Sequence, residues 1–397
     1  MKPLAMVGKE RLVVQAHSRQ AVLQVFKDAA ACLRNPDIEE WERRGGQVVG
    51  YLYSFVPEEI IAAGGLLPFR LRATGSTGTE FSDSRLTQIN CSFVRHCLDS
   101  ALRGRLEFLD GLIAFKQCDQ IFRLYEHWIA LVDTPFHHYL TVPKKSGEPQ
   151  MELYRRELSI LRTRLEDHFD TEISDTKLRH AIRLHNETRR LQRKLYELKK
   201  RERPPLTGAE TLAVMVAGTA MSKERYNALL RNLLEEIADH EPDHAPSARL
   251  LLIGRDQDNP GFVEIVESQG GMIVTDTLSF GTSSSWFDVA EDGDPLDALA
   301  DYYLNKRPAC PRIAGRGSER YEYIEQLISD YGVDGVLLVR HPFCDMWGFE
   351  QGSVTRHLKS KRVPHMVLET EYVPGGAGQL ETRVQAFLET LWEASAR

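Results

Sequence analysis

Two stretches far apart in the chain carry the same pattern. Residues 110–119 read DGLIAFKQCD and residues 334–345 read DGVLLVRHPFCD. Each opens on Asp-Gly, runs through four apolar residues, passes a basic residue and closes on Cys-Asp. A short apolar run after a turn pair predicts a strand buried on both faces, as parallel sheets require. The cysteine then falls in the loop beyond the strand's carboxyl end, the edge where open α/β sheets place their ligands. Cys118 and Cys344 therefore occupy equivalent positions in two similar halves. Packing alone gives little reason for two thiols at two strand ends, whereas ligation across a cleft gives one.

Around these stretches the chain alternates strand and helix, the mark of an α/β fold with mostly parallel sheets. Residues 10–45 read as one helical segment, with Val13, Val14, Ala21, Val22, Val25 and Phe26 on one face and Gly45-Gly46 as its stop. Strands are predicted at 47–55, 66–71, 112–115 and 136–142. Between them lie a helix after Pro57, one near 90–106 carrying Cys91 and Cys97, and one through Trp128. From 144 to about 240 the chain is charged and helical in period, with Ser174 as a cap and Pro204-Pro205 as a break. Strands return at 249–253, 272–275, 336–339 and 365–369, with helices at 262–269, 321–330, 353–359 and 380–392. Residues 281–297 read as a Ser-rich loop and an acidic stretch. The expected organisation is an α/β lobe with a preceding helix (1–143), a helical region (144–245) and a second α/β lobe (246–397).

Composition narrows the function. With 50 Lys plus Arg against 57 Asp plus Glu, the net charge is −7, which argues against a nucleic-acid binder. No apolar run is long enough for a membrane helix, and the first residues lack the apolar core of a signal peptide. The expectation is a cytoplasmic protein, so its six cysteines are not expected to pair as disulfides. The basic residues between Arg179 and Arg203 read as a solvated or partner-facing helix surface. There is no phosphate-loop motif, so nucleotide hydrolysis is not expected of this chain. Gly375 to Gly378 read as a plain loop, and His137-His138 as structural, since neighbours on a strand face opposite ways.

Three thiolates from separate strand or helix ends can hold an iron–sulfur cluster and leave one iron open. Cys118 and Cys344 are the first candidates by position. Cys91 is the third, because it opens a helix whose dipole stabilises a thiolate. Cys97, Cys32 and Cys310 read as free or structural. The competing interpretation is six unrelated buried thiols. Ser54 and Glu58 follow the first strand on the edge expected for Cys118, where Glu58 suits a general acid or base and equally a helix cap. His341, three residues before Cys344, suits proton donation or a hydrogen bond to a sulfide, and equally a satisfied loop position.

The stretch GYLYSFVPEEIIAAGGLLPFRL, the helix opening at Cys91, Cys118, HPFCD at Cys344 and the ending VLETEYVPGGAGQLETRVQAFLE resemble the benzoyl-CoA reductase / 2-hydroxyacyl-CoA dehydratase family. The resemblance implies two flavodoxin-like lobes and a 4Fe–4S cluster held by Cys91, Cys118 and Cys344. It implies a heterodimer with a homologous cluster-binding subunit, an acyl-CoA substrate, and a separate ATP-hydrolysing iron–sulfur electron donor. Ser54 and Glu58 fall in a segment that lines the family's substrate cleft. Length and ending look closer to the smaller catalytic subunit of ATP-dependent benzoyl-CoA reductase, which reduces an aromatic acyl-CoA to a cyclic diene. The alternatives are a 2-hydroxyacyl-CoA dehydratase subunit working through a ketyl radical, and a non-catalytic electron-transfer or assembly protein. Cys97 departs from the three-cysteine pattern and leaves open a fourth or alternative ligand.

Overall fold

The computed structural model describes residues 18–254, 257–373 and 375–395. Two four-stranded sheets organise it, and every strand pairing in both is parallel. The first sheet contains β1 (Val48–Tyr51), β2 (Leu67–Arg70), β3 (Gly111–Phe115) and β4 (Phe136–Leu140) in the order β2-β1-β3-β4. The second contains β5 (Ala248–Ile253), β6 (Gly271–Asp276), β7 (Gly335–Arg340) and β8 (His365–Glu369) in the order β6-β5-β7-β8. The two orders are the same, so the halves repeat in topology as they do in motif. In each, strand order reverses between the two central strands, and the crevice outside their carboxyl ends is where such sheets bind ligands.

The Asp-Gly turns do the same work in both halves. Asp110 accepts the Val48 amide on its carboxylate at 2.7 Å, and its own amide donates to the Val48 carbonyl at 2.8 Å. Asp334 does likewise with Arg249, at 2.7 and 2.8 Å. Each aspartate thus fixes where one central strand begins against the other.

Helices cover the sheets. In the first half they are α1 (Arg19–Ala31), α2 (Pro36–Arg43), α3 (Glu58–Ala63), α4 (Glu80–Asp83), α5 (Ser92–Leu102) and α6 (Asp119–Leu131). The helical middle holds α7 (Glu148–Phe169), α8 (Asp175–Leu198), α9 (Gly208–Ala217) and α10 (Lys223–Ile237). The second half adds α11 (Pro260–Glu267), α12 (Pro295–Asp301), α13 (Gly317–Asp330), α14 (Asp345–Ser360) and α15 (Ala377–Ser395). On the second sheet, Leu250, Leu252, Leu337 and Val339 pack with α9, α11 and α15, while Leu251, Ile253, Val336 and Leu338 pack with α13 and α14. Both faces of the central strands are covered, which is why β1, β3, β5 and β7 read as mostly apolar runs, whereas the edge strands β4 and β8 are only partly buried. The protein is therefore α/β with two flavodoxin-like lobes and many helices, as expected from sequence.

Three local expectations differ from the structure. The single helix expected over 10–45 is two helices, because Asn35 caps a new one through bonds from the Asp37 and Ile38 amides (2.9 and 3.0 Å) and Pro36 opens it. Val13 and Val14 of the earlier segment lie outside the described residues. The acidic stretch before Asp297 runs into α12, which Asp294 caps by accepting the Leu296 and Asp297 amides. A π turn, Tyr302–Lys306, follows it. Finally, α14 starts at Asp345 rather than near Ser353, so Cys344 stands at its N-cap. Among the described residues, no helix is long and apolar enough to cross a membrane.

Candidate functional site

Cys91, Cys118 and Cys344 are the N-cap residues of α5, α6 and α14. Three helices thus aim their positive dipole ends at the three thiols. Cys91 and Cys344 are buried and Cys118 is half-buried. The three converge. Burial pushes the Cys91 thiol well above its ordinary range, and negative charge on Cys344 and Cys118 pushes it further, while the Phe93 and Val94 amides oppose this. One thiol from the second lobe and one from a separate loop of the first therefore lie within electrostatic reach of Cys91.

Contacts around the thiols hold this arrangement. The Cys91 amide donates to Gln120 Oε1 at 3.2 Å, tying the start of α5 to α6. Arg312 donates to the Lys116 carbonyl at 3.0 Å, fixing the loop that carries Cys118. Across the lobes, the Tyr372 amide donates to Ser92 Oγ at 2.8 Å, and within the second lobe the Tyr372 hydroxyl donates to Asp258 at 2.8 Å. The same phenol accepts the Ala73 amide at 3.1 Å. Tyr372 thereby fastens the residue after Cys91 to the second lobe.

His341 is 6% exposed, and its Nδ1–H donates to the Thr370 carbonyl at 2.9 Å, which leaves Nε2 as the basic nitrogen. Phe343, the residue before Cys344, has φ of 60°, and Tyr53, the residue before Ser54, has φ of 65°. Left-handed backbone at two bulky aromatics is strained, and such strain collects at functional sites.

Among the described residues no group of three or more His, Cys, Asp or Glu side chains could hold one metal ion. A polynuclear cluster needs no such group, because each thiolate binds a different iron and the sulfurs stand further apart. Three converging thiols at three helix N-termini fit an anionic iron–sulfur cluster.

A cleft of about 820 Å³, counting its mouth, lies between the sheets' carboxyl edges. Its walls come from Tyr53, Ser54 and Phe55 after β1, Gln117 after β3, Gly254 after β5, and Trp347 in the first turn of α14. Gly254 is needed there, since a Cβ would come within 2.8 Å of the Val339 carbonyl oxygen. Apolar and aromatic side chains dominate, including Leu304, Tyr323 and Ile324. Gln117, beside Cys118, is 2% exposed, and its Nε2 donates to Cys310 Sγ at 3.4 Å.

A second, polar chamber of about 570 Å³ adjoins the cleft and includes Ser54, Glu58, Arg70, His185 and Lys223. Glu58 accepts from Lys223 Nζ at 2.8 Å. Burial alone would raise Glu58, but Lys223, His185 and Tyr51 outweigh it and hold the carboxyl down to about 2. Its neighbour Glu59 has no exposed surface, pairs with Arg189 and accepts the Tyr303 hydroxyl at 2.9 Å.

The structure thus brings together Cys91, Cys118 and Cys344, places Ser54 on the cleft, and puts Glu58 in the adjoining chamber. Cys97 is fully buried, and burial, Asp258 and Cys91 keep its thiol raised. Cys32 is exposed. Cys310, read from sequence as incidental, lies on the cleft wall. Arg307 and Trp347 also line the cleft, and no motif marked them.

The matching family model is that of the 2-hydroxyglutaryl-CoA dehydratase D-component, over residues 53–391. The chain belongs to that family. It is 24% identical to the (R)-phenyllactyl-CoA dehydratase beta subunit of Clostridium sporogenes, over 92% of this chain and 98% of the relative. It is 25% identical to a benzoyl-CoA reductase subunit of Thauera aromatica, over 81% and 84%. To the (R)-2-hydroxyglutaryl-CoA dehydratase beta subunit of Acidaminococcus fermentans it is 24% identical, over 94% and 99%. The family expected from the cysteine and terminal motifs is the family found, and it spans both reductase and dehydratase subunits.

Proposed function

We propose that this chain is an iron–sulfur catalytic subunit of a low-potential acyl-CoA enzyme, with Cys91, Cys118 and Cys344 holding a 4Fe–4S cluster. The observation that carries it is the convergence of three sequence-distant thiols, each at a helix N-terminus, beside an apolar cleft between the lobes. Bound there, such a cluster supplies single electrons at low potential. The helix ends offset its negative charge, and the aromatic walls exclude water from the acyl group. Ser54 orients substrate. Glu58, ionised and fixed by Lys223, is an electrostatic or basic group rather than a proton donor near neutral pH. His341 moves a proton at Nε2.

Within this reading, reduction of an aromatic acyl-CoA such as benzoyl-CoA to the cyclic diene is supported by the aromatic lining of the cleft. Dehydration of a 2-hydroxyacyl-CoA is the second reading, supported by the family description and by two of the three relatives named. Those relatives are named as subunits, which supports a homologous partner here. ATP hydrolysis is assigned to a separate iron–sulfur donor because this sequence has no phosphate loop, and the cytoplasm is the compartment proposed. The test is anaerobic turnover with the partner and donor on benzoyl-CoA and on a 2-hydroxyacyl-CoA. A cyclic dienoyl-CoA supports the first reading and an enoyl-CoA the second. Product from neither leaves a non-catalytic electron carrier or assembly protein.

A further inference from the structure

None of Cys91, Cys118 and Cys344 is among the described residues lining the cleft. The lining residues that stand closest to them along the chain are Gln117, directly before Cys118, and Trp347, in the first turn behind Cys344. They come from the two different lobes. They are 2% and 8% exposed, and each has a polar atom, Gln117 Oε1 and Trp347 Nε1, that neither protein nor solvent reaches. The other end of the Gln117 amide is fixed, since its Nε2 donates to Cys310 Sγ at 3.4 Å. The Trp347 indole belongs to the apolar cluster that also holds Tyr323, Ile324 and Val354, all on the cleft. Glu350, the one carboxylate among the described lining residues, is engaged by Arg320 at 2.8 and 3.0 Å.

A buried polar atom left without a partner is costly. Two of them on one cleft, one from each lobe, are explained together by a ligand that supplies both partners. An indole N–H only donates, so its partner is an acceptor, whereas a carboxamide oxygen only accepts, so its partner is a donor. A CoA thioester carries both within a short span: the thioester carbonyl oxygen and, beyond the sulfur and two methylenes, an amide N–H. The match asks for no further polar group on the acyl chain, so it holds for an aromatic acyl group as well as for a hydroxylated one.

We propose that Trp347 Nε1–H donates to the thioester carbonyl oxygen and that Gln117 Oε1 accepts the neighbouring amide N–H, the two side chains together setting the thioester at the thiol end of the cleft. This rests on the reading that the cleft accepts an acyl thioester. The Trp347 bond strengthens when the thioester takes its first electron, because negative charge then develops on that oxygen in a site closed to water. Trp347 is a catalytic residue in this account, and Gln117 holds the ligand without touching the reacting atoms.

Calorimetric titration of the anaerobically purified protein with benzoyl-CoA and with S-benzyl-CoA, in which a methylene replaces the carbonyl, tests this without turnover. The unaltered protein is expected to bind both, benzoyl-CoA about fivefold tighter, as one neutral hydrogen bond supplies. Trp347→Phe, which keeps a ring and removes the N–H, is expected to bring that ratio to about one, and Trp347→His, which restores a ring N–H, to recover part of it. Gln117→Leu is expected to weaken both ligands alike and leave the ratio intact. In turnover with the partner and donor, Trp347→Phe is expected to lower kcat on the order of a hundredfold against about a fivefold rise in KM. Equal binding of the two ligands by the unaltered protein, or a ratio that survives Trp347→Phe, overturns the Trp347 bond. Unchanged binding of both in Gln117→Leu overturns the Gln117 bond. Binding of neither by the unaltered protein overturns the reading of the cleft beneath the proposal, and the proposal with it.

Discussion

Glu58 shows how far a residue's role depends on its neighbours. In sequence it reads as a helix-start acid with either a capping or a proton-transfer role. In the fold Lys223, 165 positions away, claims it at 2.8 Å. Glu58→Gln leaves the buried Lys223 ammonium without its counter-charge and is expected to destabilise the protein by about 3 kcal/mol, read by urea unfolding at pH 7. The folded value of Glu58, about 2, lies below its ordinary 4.5. The stability it contributes is therefore complete above about pH 4.5 and is lost as pH falls toward 2. The gap between wild type and Glu58→Gln is expected to narrow over that window, and a gap that stays constant would show the pair does not carry it. The cysteines were legible because a repeated pattern marked two of them. Arg307, Gln117 and Cys310 were not, because they sit in irregular segments that only the fold brings to the cleft.

At the scale of elements, the repeat announced more than two strands. Asp110 and Asp334 each secure the first residues of a neighbouring central strand through the same pair of bonds. Asp110→Ala and Asp334→Ala are each expected to cost about 1–3 kcal/mol, since each orphans a strand-end amide. Amide exchange should rise first at Val48 in one variant and at Arg249 in the other. Unequal effects confined to one sheet would argue that the halves are not equivalent. Strand positions were readable because unbroken apolar runs leave few alternatives. Helix starts were readable only in part: Ser174 and Cys91 stand at the N-caps expected of them, whereas Asn35, Asp294 and Cys344 open helices within segments whose periodicity ran through or past them. Cys344 matters most, since placing α14 directly behind it turns a loop thiol into one that faces a helix dipole.

At the scale of the whole molecule, the site exists only because the lobes are held face to face. Tyr372 is the clearest fastening, bonding to Ala73, Ser92 and Asp258 from a position after the last strand. Tyr372→Phe removes the phenol but keeps the ring, and is expected to cost about 1–3 kcal/mol while leaving Asp258 with one donor fewer. It should lower cluster retention without touching a ligand, and unaltered iron content under mild chelation would separate the fastening from the site. The sequence pointed to two lobes and to thiols from both, but not to what joins them, because contacts between residues nearly 300 positions apart leave no local pattern. The gathering of Cys91, Cys118 and Cys344 into one iron-holding pocket is tested most directly by iron analysis of anaerobically purified protein. About four irons per chain are predicted in the wild type and in Cys32→Ser, with most of that iron lost in Cys344→Ser, Cys118→Ser and Cys91→Ser. Iron retained in Cys344→Ser, or lost equally in Cys32→Ser, would contradict it.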